Sequence, residues 1–425
     1  VRTYRDFSQL DPNEVESVSL LKDASSAAIF GVKGANGVVL VTTKRGKSGK
    51  TTTSYSFNYG FQKVTKFNNN LGSYEYAILL NEALMNDGQQ PAYSLADIEK
   101  FRNGSDPVNF PNTNWQKLVL GGTAPMMQHN INFSGGTDKV RFFASLGYLD
   151  QEGLYSSLRY KRFNARINLD LQVTNTTKVS IDLNGRLEKR RAPTTGISGI
   201  FEHTLRNPPT IPAYYPGVGY AQLGSYVNTL RQVDPAAGYD RDDNNTVLTT
   251  VQIEQQILWV KGLSIKGVVA YDKRMNFNKR WSDNVYGYTF NTGTGNYDQS
   301  AYSFPNLSEN YFQESQTELQ AHLNYTNRFG KHGVSAIVLF LQQERPQFNL
   351  GASRSGYENS FFDQLSFGPA TAPNGSITET ITGRKDRFAL RSAAARINYD
   401  YDNKYLFQAS LRADESENFA PGYRR

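Results

Sequence analysis

The residues Phe163–Val173 alternate without a break. Phe163, Ala165, Ile167, Leu169, Leu171 and Val173 occupy one face, and Asn164, Arg166, Asn168, Asp170 and Gln172 the other. A period of two over eleven residues is a strand with one apolar and one polar face, because successive side chains leave a strand on opposite sides. The same pattern recurs at Thr53–Phe61, Val140–Tyr148 and Val179–Leu187, and near 128–134, 247–259, 263–271, 317–325, 334–342, 389–401 and 405–412. Counting by period gives about eleven strands. Alternation alone leaves two architectures open. A soluble sandwich turns its apolar face inward, whereas a membrane barrel turns it to lipid and keeps Arg, Asp and Asn in a wet lumen.

Connection lengths discriminate between the two. Those at Gly135–Asp138, Thr174–Thr177, Val260–Leu263, Gly330–Gly333 and Asp400–Lys404 are tight, those at 64–125, 192–246, 279–311 and 346–386 are long, and 150–159 is intermediate. Short and long alternate strictly, as in outer-membrane barrels, which carry short turns at one end and long loops at the other. Composition agrees. Aromatic residues make up 13% of the chain, yet its mean hydropathy is −0.56, as expected for half-apolar strands. The longest apolar stretch, Val334–Leu341, is far short of the ~20 residues of a membrane-spanning helix.

Ahead of this array lies Val15–Gly46. An apolar run (Val15, Ser17–Leu21) leads to a small-residue helix (Asp23–Phe30), a glycine turn (Gly31, Gly34, Gly37) and a second β-rich run (Val38–Thr43). Three spaced glycines suggest a phosphate cradle, but that site needs strand, glycines, then helix. Here the order is helix, glycines, strand, so the glycines read as a structural turn with φ > 0. Gly46–Thr52 imitates a nucleotide-binding loop, but Lys44 stands where that motif needs glycine. It reads instead as a flexible basic linker over 47–53.

The net charge of +7 reads as a solvated basic surface rather than a nucleic-acid site. The densest basic cluster, Leu187–Ala192 (LEKRRA), ends a strand. The absence of cysteine excludes disulfides and thiolate chemistry. The four histidines are scattered, and no nucleophile triad or carboxylate pair marks a cleft, so no catalytic residue, cofactor or enzymatic activity is assigned. Asp240, Asp242 and Asp243 could coordinate Ca²⁺, although a solvated loop is the favoured reading. Trp281, Tyr286, Tyr288, Tyr214 and Tyr215 suit stacking on sugar rings or peptide side chains. The competing reading is the interfacial aromatic girdle, to which Trp281 leans because it lies just beyond an expected strand. Ser73–Asp87 and Leu95–Arg102 read as short helices in the first long loop.

The wording of three segments resembles the SusC/RagA family of TonB-dependent outer-membrane transporters, typical of Bacteroidetes. They are LKDASSAAIFG with GANGVVLVTTKRG in 20–46, Trp115–Leu154 with Tyr160–Asp170, and Arg396–Arg424. Asn114 and Glu415 depart from the usual Asp and Gly. The resemblance implies a mainly β protein in three parts. Residues 1–46 would be the C-terminal part of an α/β plug domain and 47–53 a linker. Residues 54–425 would be the N-terminal part, roughly the first half, of a large antiparallel transmembrane β-barrel. In the family the plug fills a barrel of about twenty-two strands. An odd strand count and an unpaired last strand predict that this sequence belongs to a longer barrel, because an open edge is not viable in hydrocarbon. The resemblance further implies a bacterial outer-membrane location, contact with outer-membrane lipid, and a SusD-like surface lipoprotein as lid. The TonB–ExbB–ExbD complex would engage a region N-terminal to this sequence. The implied activity is active import of nutrient oligomers, oligosaccharide ahead of oligopeptide. The alternative is a glycan-binding surface adhesin without transport.

Overall fold

The computed structural model describes residues 10–22, 30, 31, 34, 36–301, 303–371, 375–420 and 422. The helix expected at Asp23–Phe30 lies almost wholly outside them. The flanking runs form β1 (Val15–Leu21) and β2 (Val38–Thr43), paired antiparallel in a two-stranded sheet. Between them Gly31 and Gly37 hold left-handed φ of 67° and 92°, as the turn reading requires, and the Gly37 amide donates to the Gly34 carbonyl.

The wall begins at β3 (Gly49–Gln62), so it starts inside the expected linker. It continues through β4 (Ala124–Gly136), β5 (Val140–Glu152), β6 (Arg159–Gln172) and β7 (Thr177–Ala192). The loop after β7 carries the short strands β8 (Tyr214–Tyr215) and β9 (Gly219–Ala221). The wall resumes with β10 (Gly238–Gln256) and β11 (Leu263–Ser282), and the next loop carries β12 (Gly287–Asn291) and β13 (Asn296–Gln299). It closes with β14 (Asn306–Phe329), β15 (His332–Ser355), β16 (Glu379–Tyr401) and β17 (Tyr405–Ser416). These wall strands form one 11-stranded antiparallel sheet in sequence order, each hydrogen-bonded to its chain neighbour within the wall. The strand number matches the count by period.

The alternation resolves inside out. Phe163, Ile167, Leu183, Leu187, Val247, Ile253, Val269, Leu319 and Val338 are exposed, while Asn130, Ser145, Asn164, Arg166, Asn168, Arg186, Thr250, Glu318 and Gln343 are buried. Exposed apolar and buried polar faces define a wall with lipid outside and a polar lumen inside. The ladder pairs the backbone groups that hydrocarbon cannot solvate.

The strands run well past the periodic segments. β14 and β15 have 24 residues each, against about ten needed to cross a bilayer. The extra length lies on the long-loop side. There both faces meet water, so selection for one apolar face lapses and the sequence pattern fades while the ladder continues. The expected loops 192–246, 279–311 and 346–386 accordingly shrink to 193–237, 283–305 and 356–378.

The loop after β3 holds α1 (Ser73–Asn86), α2 (Leu95–Asn103) and α3 (Trp115–Leu120); that after β7 adds α4 (Ile197–Arg206) and α5 (Thr229–Gln232). A capping box between Ser94 and Asp97 starts α2, and Gly104 ends it at φ 64°. Asn114 caps α3 through the Lys117 amide.

Candidate functional site: the plug seam, the lumenal ladder and the loop layer

Because β6 alternates, its lumenal side chains project at every second position. Five of them meet the segment before the wall. Arg162 lies 3.7 Å from Asp11. The Asn164 amide and the Arg166 guanidinium donate to the two carboxylate oxygens of Glu14 at 2.9 and 2.7 Å. The Asn168 amide donates to the Lys44 carbonyl at 2.6 Å, and Asp170 accepts from Arg45 at 3.1 Å. Arg45 also reaches Asp182 on β7 at 2.7 Å. Glu14 is 2% exposed and Arg166 5%, so the centre of the seam is dry while its Arg45 end is open. The backbone also fits tightly. A Cβ at Gly46 would stand 2.4 Å from the Phe142 backbone, and one at Gly31 2.6 Å from the Arg412 guanidinium. Contacts with β6 on one side and β17 on the other place this segment within the curve of the sheet.

Higher in the lumen, β10 and β11 form a polar ladder. Asn278 donates to Asp240 at 2.6 Å, and Asn276 donates to Asp242 and, at 3.1 Å, to Asn244. Arg190 of β7 lies 3.9 and 3.8 Å from Asp240 and Asp242. These aspartates are strand residues rather than loop residues. Alternation therefore turns Asp243 to the opposite face, where it lies 3.7 Å from Arg241. The expected Ca²⁺ trio does not converge on one point. Among the described residues no group of three or more Asp, Glu or His is arranged to hold a metal.

The long loops pack into a layer with its own core of Trp115, Ala213, Tyr215, Ala221 and Leu223. The Trp115 indole donates to the Pro208 carbonyl at 3.0 Å. Tyr215 is buried there, its phenol pushed up by desolvation, and Tyr288 packs half-buried against the same core. Burial and then the Asp234 carboxylate raise the Tyr220 phenol likewise. Tyr214 is 48% exposed and edge-on to Tyr220, with centroids 5.5 Å apart. Tyr286 is half-buried.

Trp281 sits elsewhere. It lies within β11 and not beyond it, is 4% exposed, and packs on Leu307 and Tyr357. Its register partners Tyr239 and Leu307 share its outward face. It therefore points where a girdle residue would, but loop 356–378 covers it in place of lipid. Asp363 of that loop accepts from the Tyr239 hydroxyl. Burial works to raise the Asp363 carboxyl; that hydroxyl and the Lys279 ammonium outweigh it and hold it below the ordinary carboxylate value.

Of the five expected aromatics, Tyr214, Tyr215 and Tyr288 come together in the loop layer, and only Tyr214 is well exposed. The seam residues Asp11, Glu14 and Arg45 were not singled out by sequence reasoning. The available signal was the charge on the polar face of Phe163–Val173, which in a lumen needs partners.

A sheet with an apolar outer face, a polar inner face and a small sheet docked against the inner face has the architecture of part of an outer-membrane β-barrel. The sequence is 26% identical over 420 residues to TonB-dependent receptor P3 of Formosa agariphila, covering 96% of this chain and 38% of the relative. It is 27% identical over 427 residues to TonB-dependent receptor SusC of Bacteroides thetaiotaomicron, covering 97% and 40%. No family model matches. The fold is that of the RagAB peptide transporter, with a TM-score of 0.79 at 21% identity over 98% of this chain and 48% of the other. An 'open-open' state of the RagAB peptide importer gives 0.78 at 22%, covering 98% and 47%. The chain resembles TonB-dependent receptors of the SusC kind in sequence and the RagAB transporter in fold, and it spans about two fifths of the length of the curated relatives it matches.

Proposed function

We propose that the protein serves TonB-dependent import of oligomeric nutrients across the outer membrane. The observation that carries this reading is the seam between Asp11, Glu14 and Arg45 and the β6–β7 lumenal face. An apolar plug contact would be held by area, which falls off gradually. A few directional ionic contacts release together once displaced by a couple of ångströms, and water entering the lumen then solvates both sides. That behaviour suits a plug pulled from the periplasmic side by TonB–ExbB–ExbD.

Oligosaccharide is the preferred substrate class. The lumenal ladder of Asn276, Asn278, Asp240 and Asp242 offers amide donors beside carboxylate acceptors, the pairing that sugar hydroxyls engage as simultaneous donors and acceptors. Exposed Tyr214 supplies a stacking face. The peptide reading has its own support in the likeness to the RagAB peptide transporter. A SusD-like lipoprotein over the loop layer completes the proposal.

The deciding experiment compares a deletion strain with its complemented parent for growth on defined oligosaccharides and oligopeptides as sole carbon source, alongside calorimetric binding to the purified protein. A defect confined to glycans, restored by complementation, supports the reading. A defect confined to peptides replaces the substrate class. Glycan binding with no uptake defect would favour the adhesin.

A further inference from the structure

The basic run Leu187–Ala192 is split by its strand. Arg190 turns into the lumen beside Asp240 and Asp242, while Lys189 and Arg191 share the outward face of Leu183 and Leu187. Register carries that outward face across the wall. Arg159 of β6 stands opposite Arg191 of β7, Arg191 opposite Arg241 of β10, and Arg241 opposite Lys279 of β11. One row below, Lys161 stands opposite Lys189. Like charges directly opposite destabilise a sheet, and here four cations occupy neighbouring strands about 4.8 Å apart.

Protein carboxylates neutralise part of the patch: Asp243 stands opposite Lys189, and Glu152 lies 3.7 Å from Arg159. Asp150 accepts from Arg159 at 2.7 Å and lies 3.4 Å from Lys161; Asp243 lies 3.7 Å from Arg241. Loop 356–378 and Glu309 cover Lys279. Lys189 and Arg191, at the centre, are exposed, and among the described residues neither has a carboxylate at ion-pair distance; Arg191 lies over the Tyr239 ring at 5.4 Å.

The height of the patch is informative. On β6 the outward apolar residues run from Phe163 towards Val173, and about ten steps of 3.3 Å tilted by about 40° rise roughly 25 Å, the thickness of a barrel's apolar band. Lys161 and Arg159 are the next outward positions above it, as Lys189 and Arg191 are above Leu187. The cations therefore begin where acyl chains end, on the long-loop side.

We propose that this surface binds the phosphate-bearing headgroup of an outer-leaflet amphiphile, with Lys189 and Arg191 as central ligands and Arg159, Lys161 and Arg241 at the rim. A membrane amphiphile, rather than free phosphate, is the occupant because an apolar wall for its chains continues directly below. The bound anion would offset the repulsion of the row.

The test uses the whole protein, folded in the outer membrane and extracted into delipidating detergent. Native mass spectrometry and titration then measure binding from micelles doped with bis-phosphorylated lipid A, with its dephosphorylated form, or with inorganic phosphate alone. At about 1 kcal/mol per surface cation, Lys189→Gln with Arg191→Gln should weaken lipid A binding about 30-fold. Heat-modifiable migration should be unchanged, and Lys404→Gln on the opposite rim should bind as the parent does. Equal binding of the two lipid forms, undiminished binding by the double variant, or inorganic phosphate binding as tightly as lipid A would each overturn the proposal. If the double variant does not fold, the comparison of the two lipids on the parent decides.

Discussion

Glu14→Ala removes the carboxylate that two β6 side chains share. Both Glu14 and Arg166 are nearly fully buried, and the guanidinium Nε lies 2.7 Å from the carboxylate. Deleting one partner of such a pair typically costs about 3–5 kcal/mol, because the other charge stays in a poorly solvated site. Asn164 loses its acceptor as well. A segment of this size unfolds with an m-value near 1 kcal/mol/M in urea, so the midpoint for its release from the wall should fall by about 3–5 M. Single barrels in a planar bilayer report this directly, because conductance rises when the plug leaves the lumen. The double variant Glu14→Ala, Arg166→Met should recover much of the loss, since an apolar pair does not leave a charge stranded. A midpoint for Glu14→Ala within about 0.3 M of the parent would refute the reasoning, and so would a double variant weaker than both single ones.

Gly46→Ala should prevent correct seating of the chain between plug and wall, because its methyl would lie 2.4 Å from the Phe142 backbone; heat-modifiable migration and folded yield should both drop. Trp115→Ala should destabilise the loop layer by about 3–5 kcal/mol and speed proteolysis of the long loops while the wall stays resistant. Ser94→Ala should cost α2 about 1 kcal/mol by removing its cap, read as faster amide exchange over Leu95–Asn103. The Ser94 hydroxyl and amide hold Asp97 below its ordinary value, so the capping contribution is complete above that ordinary value and fades as pH falls through the lowered one. Exchange in the parent should therefore accelerate on acidification, and the Ser94→Ala variant should show a smaller change.

The strand number, the short-and-long parity of the connections and the two loop helices were legible in the sequence because each has a local cause. A strand crossing a bilayer needs one apolar face for each step of two, and Ser94 or Gly104 marks a helix end through its own backbone and side chain. Strand ends were not legible. Beyond the membrane both faces are wet, so nothing periodic distinguishes Gln347–Ser355 from a loop, although the ladder with β14 and β16 continues through it. Trp281 was misplaced for the same reason: its strand extends past the apolar pattern, and its cover comes from a loop some 80 residues later in the chain.

By itself the sequence determined the period, the parity and the wording of Val15–Gly46, which were enough for the expectation of a barrel wall. Alternation alone did not determine which face looks at lipid, since it is symmetric between the two; the parity of the connections only set the expectation of an outward apolar face. That was decided by tertiary structure, through burial of Asn164, Arg166 and Asn168 and exposure of Phe163 and Ile167. Likewise only tertiary structure set Arg191 opposite Arg159 and Arg241, and brought Glu14 to Arg166 across 152 residues. Neighbours in a sheet are set by hydrogen-bond pairing between distant segments, and a linear pattern carries no record of that pairing.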